Sequence, residues 1–319
     1  MTPTRSDGKF DRGEGEEGKD DGEPTTVVGL LPVVPGAPAG LGSLHPHMVV
    51  LAGQSVGRTF RIERQETAIG RSEEAAIRLY DDGVSRRHAR IVRSGTDVWL
   101  EDLESANGTR VNGEAIVRHL LQDGDKIGLG GRTVLRFAHS DALEEGFHQA
   151  MYEAAVRDGL TRAYNKRHFL ERLPIEIAYA HRHRSPLSLL MLDVDHFKKI
   201  NDGHGHLAGD SVLTGLARLV LNTVRTEDLV ARYGGEEFAV LCRGTPLIQA
   251  ARLGQRLRVT VETHAFAHGG KSIPVTISVG ASACGDESFG ADSLIADADA
   301  ALYRAKRSGR NRVVASTDP

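Results

Sequence analysis

Cysteine is scarce in this 319-residue chain, and long apolar runs are absent. The two cysteines, Cys242 and Cys284, sit in apolar surroundings, which argues against a disulfide framework and for core thiols. No Cys/His cluster has zinc-ligand spacing. No uninterrupted apolar stretch approaches the ~20 residues needed to span a bilayer. The nearest, Val27 to Leu41, is broken by Pro32, Pro35 and Pro38. The first residues are acidic and glycine-rich, unlike a secretory signal. A net charge of -3 gives no general attraction to nucleic acid or to an acidic membrane. The expectation is a soluble cytoplasmic protein with no nucleic-acid or membrane partner.

What is present divides the chain. Residues 1–47 combine a charge-rich segment, Asp7 to Glu23, with a Pro/Gly segment ending near Pro46, the composition of a disordered tail. Residues 48–138 hold short alternating runs such as Met48-Val49-Val50-Leu51 and Val98-Trp99-Leu100 between Gly, Asp and Asn turns, which predicts an all-β sandwich. In 139–157 Leu143, Phe147, Met151 and Ala154 fall on one helical face, predicting a connecting helix too short to stand alone and a candidate dimer contact. From 158 to 319 helical and strand patterns alternate. Ser188–Val194 and Val275–Gly280 read as buried strands, and Leu213–Val224 and Leu294–Arg307 as amphipathic helices, so this part is α/β.

The densest motif is Arg232-Tyr233-Gly234-Gly235-Glu236-Glu237-Phe238. Two glycines between apolar, strand-like flanks read as a tight hairpin turn that presents two carboxylates beside bare backbone. Alone, such a turn is usually a solvated hairpin. A second apolar strand ends in Asp193-Val194-Asp195 and is followed by His196-Phe197-Lys198-Lys199-Ile200-Asn201-Asp202, where backbone amides and a lysine can hold phosphate oxygens. Asp210 opens a helix-like run and in isolation reads as an N-cap. Lys306 to Asn311 in isolation reads as a basic helix end.

In order, Asp158-Gly159-Leu160-Thr161, Asn165-Lys166-Arg167, the Asp193 to Asp202 segment, Gly205-His206, Gly209-Asp210, Gly-Gly-Glu-Glu-Phe and Ala301-Leu302-Tyr303 with Lys306 and Arg310 resemble the GGDEF-type diguanylate cyclases, over Asp158 to Val314. The resemblance implies a ferredoxin-like palm that joins two GTP into cyclic di-GMP with release of two pyrophosphates. It implies Mg²⁺ (or Mn²⁺) on Asp193, Glu236, the Val194 carbonyl and Glu237, since hard oxygen ligands suit those ions. Glu236 or Glu237 is the expected proton acceptor, with the choice open. His196, Phe197, Lys198, Lys306 and Arg310 are expected to cradle phosphates, and Asn201 and Asp210 to read guanine. A carboxylate accepts from guanine N1–H and N2–H₂ together, and adenine offers no such pair. Since one palm holds one GTP, the active species is expected to be a homodimer. Arg225 and Asp228, with Arg256 as a weaker partner, match the position of the family's inhibitory product site; otherwise Arg225–Asp228 is a solvated turn.

In the β-rich part, Gly70-Arg71-Ser72, Ser85-Arg86-Arg87-His88 and Asn107-Gly108-Thr109 resemble the loops of a forkhead-associated (FHA) domain, a sandwich that binds phosphothreonine peptides. The resemblance implies that Arg71, Ser85 and Arg86 meet phosphate, that Asn107 holds peptide backbone and that Thr109 belongs to the site. His88 is expected to brace a loop. A Ser/Thr kinase is then an expected partner. Thr25 and Thr26 are candidate phosphosites, about 22 residues from the sandwich, with a flexible reach on the order of 25 Å. The competing readings are a phosphothreonine scaffold whose palm only binds nucleotide, and a cyclase whose FHA domain only localises it.

Overall fold

The computed structural model describes residues 44–53, 55–72, 74–285 and 290–317. Thr25 and Thr26 lie outside the described residues. The described residues all belong to one compact unit, Gly36–Pro319. Among them no helix is long and apolar enough to cross a membrane.

The first part is a sandwich of eleven short strands: β1 (His45–Ala52), β2 (Thr59–Arg61), β3 (Glu66–Gly70), β4 (Ile77–Arg78), β5 (Ala89–Ser94), β6 (Asp97–Asp102), β7 (Thr109–Val111), β8 (Glu114–Ile116), β9 (Arg118–Leu120), β10 (Lys126–Leu129) and β11 (Thr133–Ser140). One sheet has the order β2-β1-β11-β10-β7-β8 and the other β4-β3-β5-β6-β9. Alternation explains the pairing: in β5, Ala89 and Ile91 face inward while Arg90 and Val92 do not. The inward set, including Met48, Ile69, Ile91, Leu100, Ile127 and Phe137, forms one core.

Helix α1 (Ala142–Val156) follows. Asp141 caps it, its carboxylate accepting from the amides of Leu143 and Glu144, and Glu144 and Glu145 suit the positive end of the helix. Leu143, Phe147 and Met151 are 56%, 44% and 49% exposed, so the predicted apolar stripe is real and uncovered within one copy.

The second part contains β12 (Tyr164–Asn165), α2 (Lys166–His183), β13 (Leu187–Val194), α3 (Phe197–His204), α4 (His206–Thr223), β14 (Leu229–Arg232), β15 (Glu237–Arg243), α5 (Leu247–Thr263), a small hairpin of β16 (Phe266–His268) and β17 (Lys271–Ile273), β18 (Ile277–Ala283), α6 (Ala291–Arg307) and β19 (Val313–Ala315). The sheet order is β12-β14-β15-β13-β18-β19. Every residue of central strand β13 is buried, because helices cover both faces of the sheet. Leu190, Leu192 and Val194 face a core shared with α3, α4 and α5, while Leu189 and Met191 face α2 and α6. Strand β18 begins at Ile277, two residues later than the apolar pattern indicated. Helix α4 begins at His206 after Gly205, so Asp210 sits in the second turn and is no N-cap.

Tyr80 of the sandwich lies over the Arg172 guanidinium of α2, 3.6 Å from ring centroid to Cζ. Glu176 is buried and accepts from both Arg172 and Arg243. Removing that carboxylate strands two guanidinium groups in a largely dry site, and Glu176→Ala is expected to cost about 3 kcal/mol. Trp99, in β6, is the chain's one tryptophan and reports on the sandwich, whereas far-UV dichroism reports chiefly on the helices. In urea titrations the variant should lower the dichroism midpoint and leave the Trp99 midpoint nearly fixed; equal shifts in both would place the network's effect elsewhere.

Candidate functional site

The site grows from the register of β13 against β15. Leu192 pairs with Phe238 and Asp193 with Glu237. Paired residues project on one face, so Asp193 and Glu237 share the α6 side, where Leu189, Met191, Ala239 and Leu241 pack. Phe238 and Val240 lie on the opposite core. Glu236, in the turn, lines a cleft of about 390 Å³ on that opposite side, together with Phe197, Lys198, Asn201, Asp210 and Arg232. The adjacent glutamates of the motif therefore serve opposite sides of one sheet edge.

The turn is tied down by residues distant in sequence. Arg232 donates through Nε and Nη2 to the Gly235 carbonyl at 3.1 and 2.7 Å, and through Nη1 to Asp158 at 3.1 Å. Asp158 also accepts from the Thr161 amide and hydroxyl. Burial pushes the Asp158 carboxyl up, but the Thr161 and Arg232 contacts outweigh it and hold it below the ordinary aspartate value. Neither glycine of the turn has a positive φ. Gly234 instead leaves room: a Cβ there would lie 2.6 Å from Glu237 Oε2.

Carboxylates crowd this edge. Burial pushes Asp193 above its ordinary value; Lys306 opposes that and Glu237 and Asp195 reinforce it. Burial also raises Glu236, with Asp193 adding to the effect and Lys306 opposing it. Lys306 Nζ lies 2.6 Å from Asp193 Oδ2. Among the described residues no three His, Cys, Asp or Glu side chains converge as a ready metal cage. The donor chemistry nevertheless fits a hard divalent cation: buried, mutually repelling carboxylates need more positive charge than one lysine brings.

The cleft walls also suit a nucleotide. His196, in the left-handed region at φ 57°, starts α3, and the first amides of that helix, at Phe197 and Lys198, precede its first internal bonds. Asn201 Oδ1 is buried without a hydrogen-bond partner. It lies against Gly209, where a Cβ would come within 2.0 Å of it. Asp210 stands on the same cleft wall. Arg310 is exposed and Lys306 half-buried, and neither borders the cleft. Asp195 places the Arg310 segment: it accepts from Thr276 and Ser278 hydroxyls and from the Asn311 amide. The motif pattern did not single out Arg232, Asp195, Asp202 or His206 as site residues. Arg232 stands two residues before Gly234, but only the fold reveals its partner Asp158.

At the expected inhibitory site, Asp228 accepts from the amides of Arg225 and Arg243, so its two oxygens already brace the turn into β14. Burial raises its carboxyl. Arg225 is exposed and only loosely paired with Glu227. Arg256 donates to the Thr223 carbonyl at the end of α4.

In the sandwich, Arg71, Ser85, Arg86 and Arg87 border one pocket. Backbone bonds from Arg71 to Ser85 and from Ser72 to Arg86 join its two loops, and Arg71 Nε is buried without a partner. His88 is fully buried; its ring contacts the Ser85 amide and the Gly108 carbonyl, and burial lowers its pKa, so it braces the loops as expected. Ser85 Oγ accepts from the Ala106 amide. The Asn107 side chain donates to the Gly83 carbonyl. Thr109 departs from the expectation for a ligand-contacting residue: it is fully buried, and its hydroxyl donates to Asp102, which makes it a support of the loop.

Residues 155–312 match the family described as "Diguanylate cyclase, GGDEF domain", and residues 67–130 match the FHA domain family. The response regulator PleD of Caulobacter vibrioides is 40% identical over 183 residues, covering 57% of this chain and 40% of that protein. The diguanylate cyclase DgcP of Pseudomonas aeruginosa is 36% identical over 231 residues, covering 70% of this chain and 34% of that protein. The chain thus spans well under half the length of these curated relatives. Among solved structures, the GGDEF domain of DgcB from Caulobacter crescentus in complex with c-di-GMP is 34% identical, with a TM-score of 0.50, over 51% of this chain and 97% of that one.

The Asp158 brace has a signed pH dependence. A carboxyl whose folded pKa is depressed stabilises the fold above its unfolded pKa and loses that contribution as pH falls through the folded value. Wild type should exceed Asp158→Asn by about 1–2 kcal/mol at neutral pH. In urea titrations that margin should shrink below about pH 4; a margin that stays constant down to about pH 2.5 would show that the carboxylate charge contributes nothing.

Proposed function

Because the chain belongs to the GGDEF family and carries an FHA domain ahead of that module, we propose that it is a diguanylate cyclase that condenses two GTP into cyclic di-GMP. The observation that carries this reading is the strand register that sets Asp193 across from Glu237 while Glu236 faces a cleft holding Asp210, Asn201 and Lys198. Asp193, Glu236 and the Val194 carbonyl, with Glu237 beside them, would hold Mg²⁺ or Mn²⁺. When bound, that ion offsets triphosphate charge and makes the attacking 3′-hydroxyl more acidic. The α3 amides and Lys198 hold phosphate oxygens, and Lys306 and Arg310 supply further positive charge at the edge. Asp210 and Asn201 read the guanine edge. Of the two candidate proton acceptors, Glu236 is the one on the cleft wall.

The cleft takes one nucleotide, so the reaction pairs two copies, with the exposed stripe on α1 as their contact. Arg225 and Arg256 receive product phosphates as an inhibitory site, Asp228 holding the turn that presents Arg225. The FHA loops recognise phosphothreonine on a kinase-modified peptide, the chain's own Thr25 or Thr26 being candidates.

Incubation with GTP and Mg²⁺ should yield cyclic di-GMP by mass, and chelation should abolish it. Glu236→Ala should lower the rate by about 10³-fold. Phe147→Glu should lower the specific activity of dilute protein and recover as concentration rises. GTP binding by wild type without product would sink the cyclase reading in favour of a nucleotide-binding scaffold. Inhibition by cyclic di-GMP should weaken in Arg225→Ala, and equal inhibition constants would dismiss the product site.

A further inference from the structure

The pocket between the Arg71 and Arg86 loops does not end at the sandwich. Arg71, Ser72 and Arg86 also border a much larger cleft of about 990 Å³, whose opposite wall is α2 of the palm, with Glu176, Tyr179, Arg182 and His183 on it. Two contacts close one side of that cleft: Tyr80 over Arg172, and Arg182 donating to Asp82 at 2.6 Å. Tyr179 and His183, one helical turn apart, present adjoining rings with centroids 4.3 Å apart and planes tilted by 38°.

We propose that α2 of the catalytic module forms the second wall of the peptide site, so that residues flanking a phosphothreonine are read by Tyr179, Arg182 and His183. This rests on the phosphothreonine reading of the FHA loops. The geometry leaves an extended peptide anchored at Arg71 and Arg86 a continuous space toward α2. A phosphate on the anchor pairs with a guanidinium whose Nε is already desolvated and unpartnered, which fixes the register of the bound chain. Flanking side chains then meet an aromatic pair, suited to apolar or planar groups, and a guanidinium suited to acidic ones. Acidic flanks compete with Asp82 for Arg182. The occupant is therefore a phosphothreonine peptide carrying an acidic or apolar flank, and its sequence preference belongs to the fusion of the two domains.

The test passes a degenerate phosphothreonine peptide library and its unphosphorylated counterpart over the immobilised full-length chain. Wild type should retain only phosphorylated peptides with a defined flanking preference, and Arg86→Ala should retain none. Tyr179→Ala and Arg182→Gln should keep the dependence on phosphate, flatten the preference at one or two flanking positions, and weaken the best selected peptide about tenfold. Arg184→Gln, the same charge change at the end of α2 outside the cleft lining, should match wild type. A flanking profile unchanged in both α2 variants, with affinity within about twofold, would overturn the shared cleft while leaving the phosphothreonine reading intact. Failure of wild type to retain any phosphorylated peptide would overturn both.

Discussion

The palm is organised around a repulsion. The β13–β15 register sets Asp193 directly across from Glu237, at an edge where Glu236 and Asp195 are also close enough to raise the burden. Like charges opposite each other cost a sheet stability. A sequence selected for stability alone would not place them there. Here the cost is partly met by Lys306, which α6 brings to 2.6 Å of Asp193. In the proposed reaction a metal ion bound with the triphosphate would bring the missing positive charge, and Lys306 would then hold a phosphate. The rest of the palm supports this edge, through the Arg232–Asp158 tie on the turn and the Asp195 tie on the Arg310 segment.

The same logic joins the sandwich to the palm. Glu176 accepts from both Arg172 and Arg243, and Tyr80 covers the surface of that cluster. The phenol is itself pushed to lower pKa by the guanidinium groups of Arg172, Arg78 and Arg243, against the upward effect of burial. Arg243 ends β15, the strand that begins with Glu237, and its amide is held by Asp228. The FHA contact, the expected product site and Glu237 thus meet along one strand of seven residues. That strand is buried from Phe238 to Cys242 and close-packed on both faces.

The motifs were legible because each rests on local chemistry: a Gly-Gly turn, carboxylates at strand ends, arginines in turns. The long central strand was legible as an apolar run and the α1 stripe from helical periodicity. The division of Glu236 and Glu237 between opposite sides was not, because it depends on which residue of β13 each one meets, a long-range register. Asp158 was legible as part of a motif, but its bond to Arg232 spans 74 positions. Thr109 reads as a loop residue in sequence, and only the inward turn of β7 buries it against Asp102. Asp210 looked like a helix start because glycine precedes it; that glycine makes room for Asn201 inside a helix that has already begun. The meeting of Tyr80 with α2 has no local signal at all.

The remaining constraint is stoichiometric. A cleft for one nucleotide cannot make a product from two, and the proposed reaction needs a second cleft facing the first. Helix α1 is tied at both ends. Its first turn is capped by Asp141 next to β11, and Glu145 meets Arg61 of β2 at 3.9 Å. At its other end the Ala155 carbonyl accepts from Asn165 and Arg167 of the palm. Fifteen residues give it a length of about 22 Å. With both domains tied to this strut, its uncovered face of Leu143, Phe147 and Met151 offers apolar surface that a second copy would bury. In the proposed dimer, pairing there would set the spacing of two palms through the same helix that receives the sandwich's contacts.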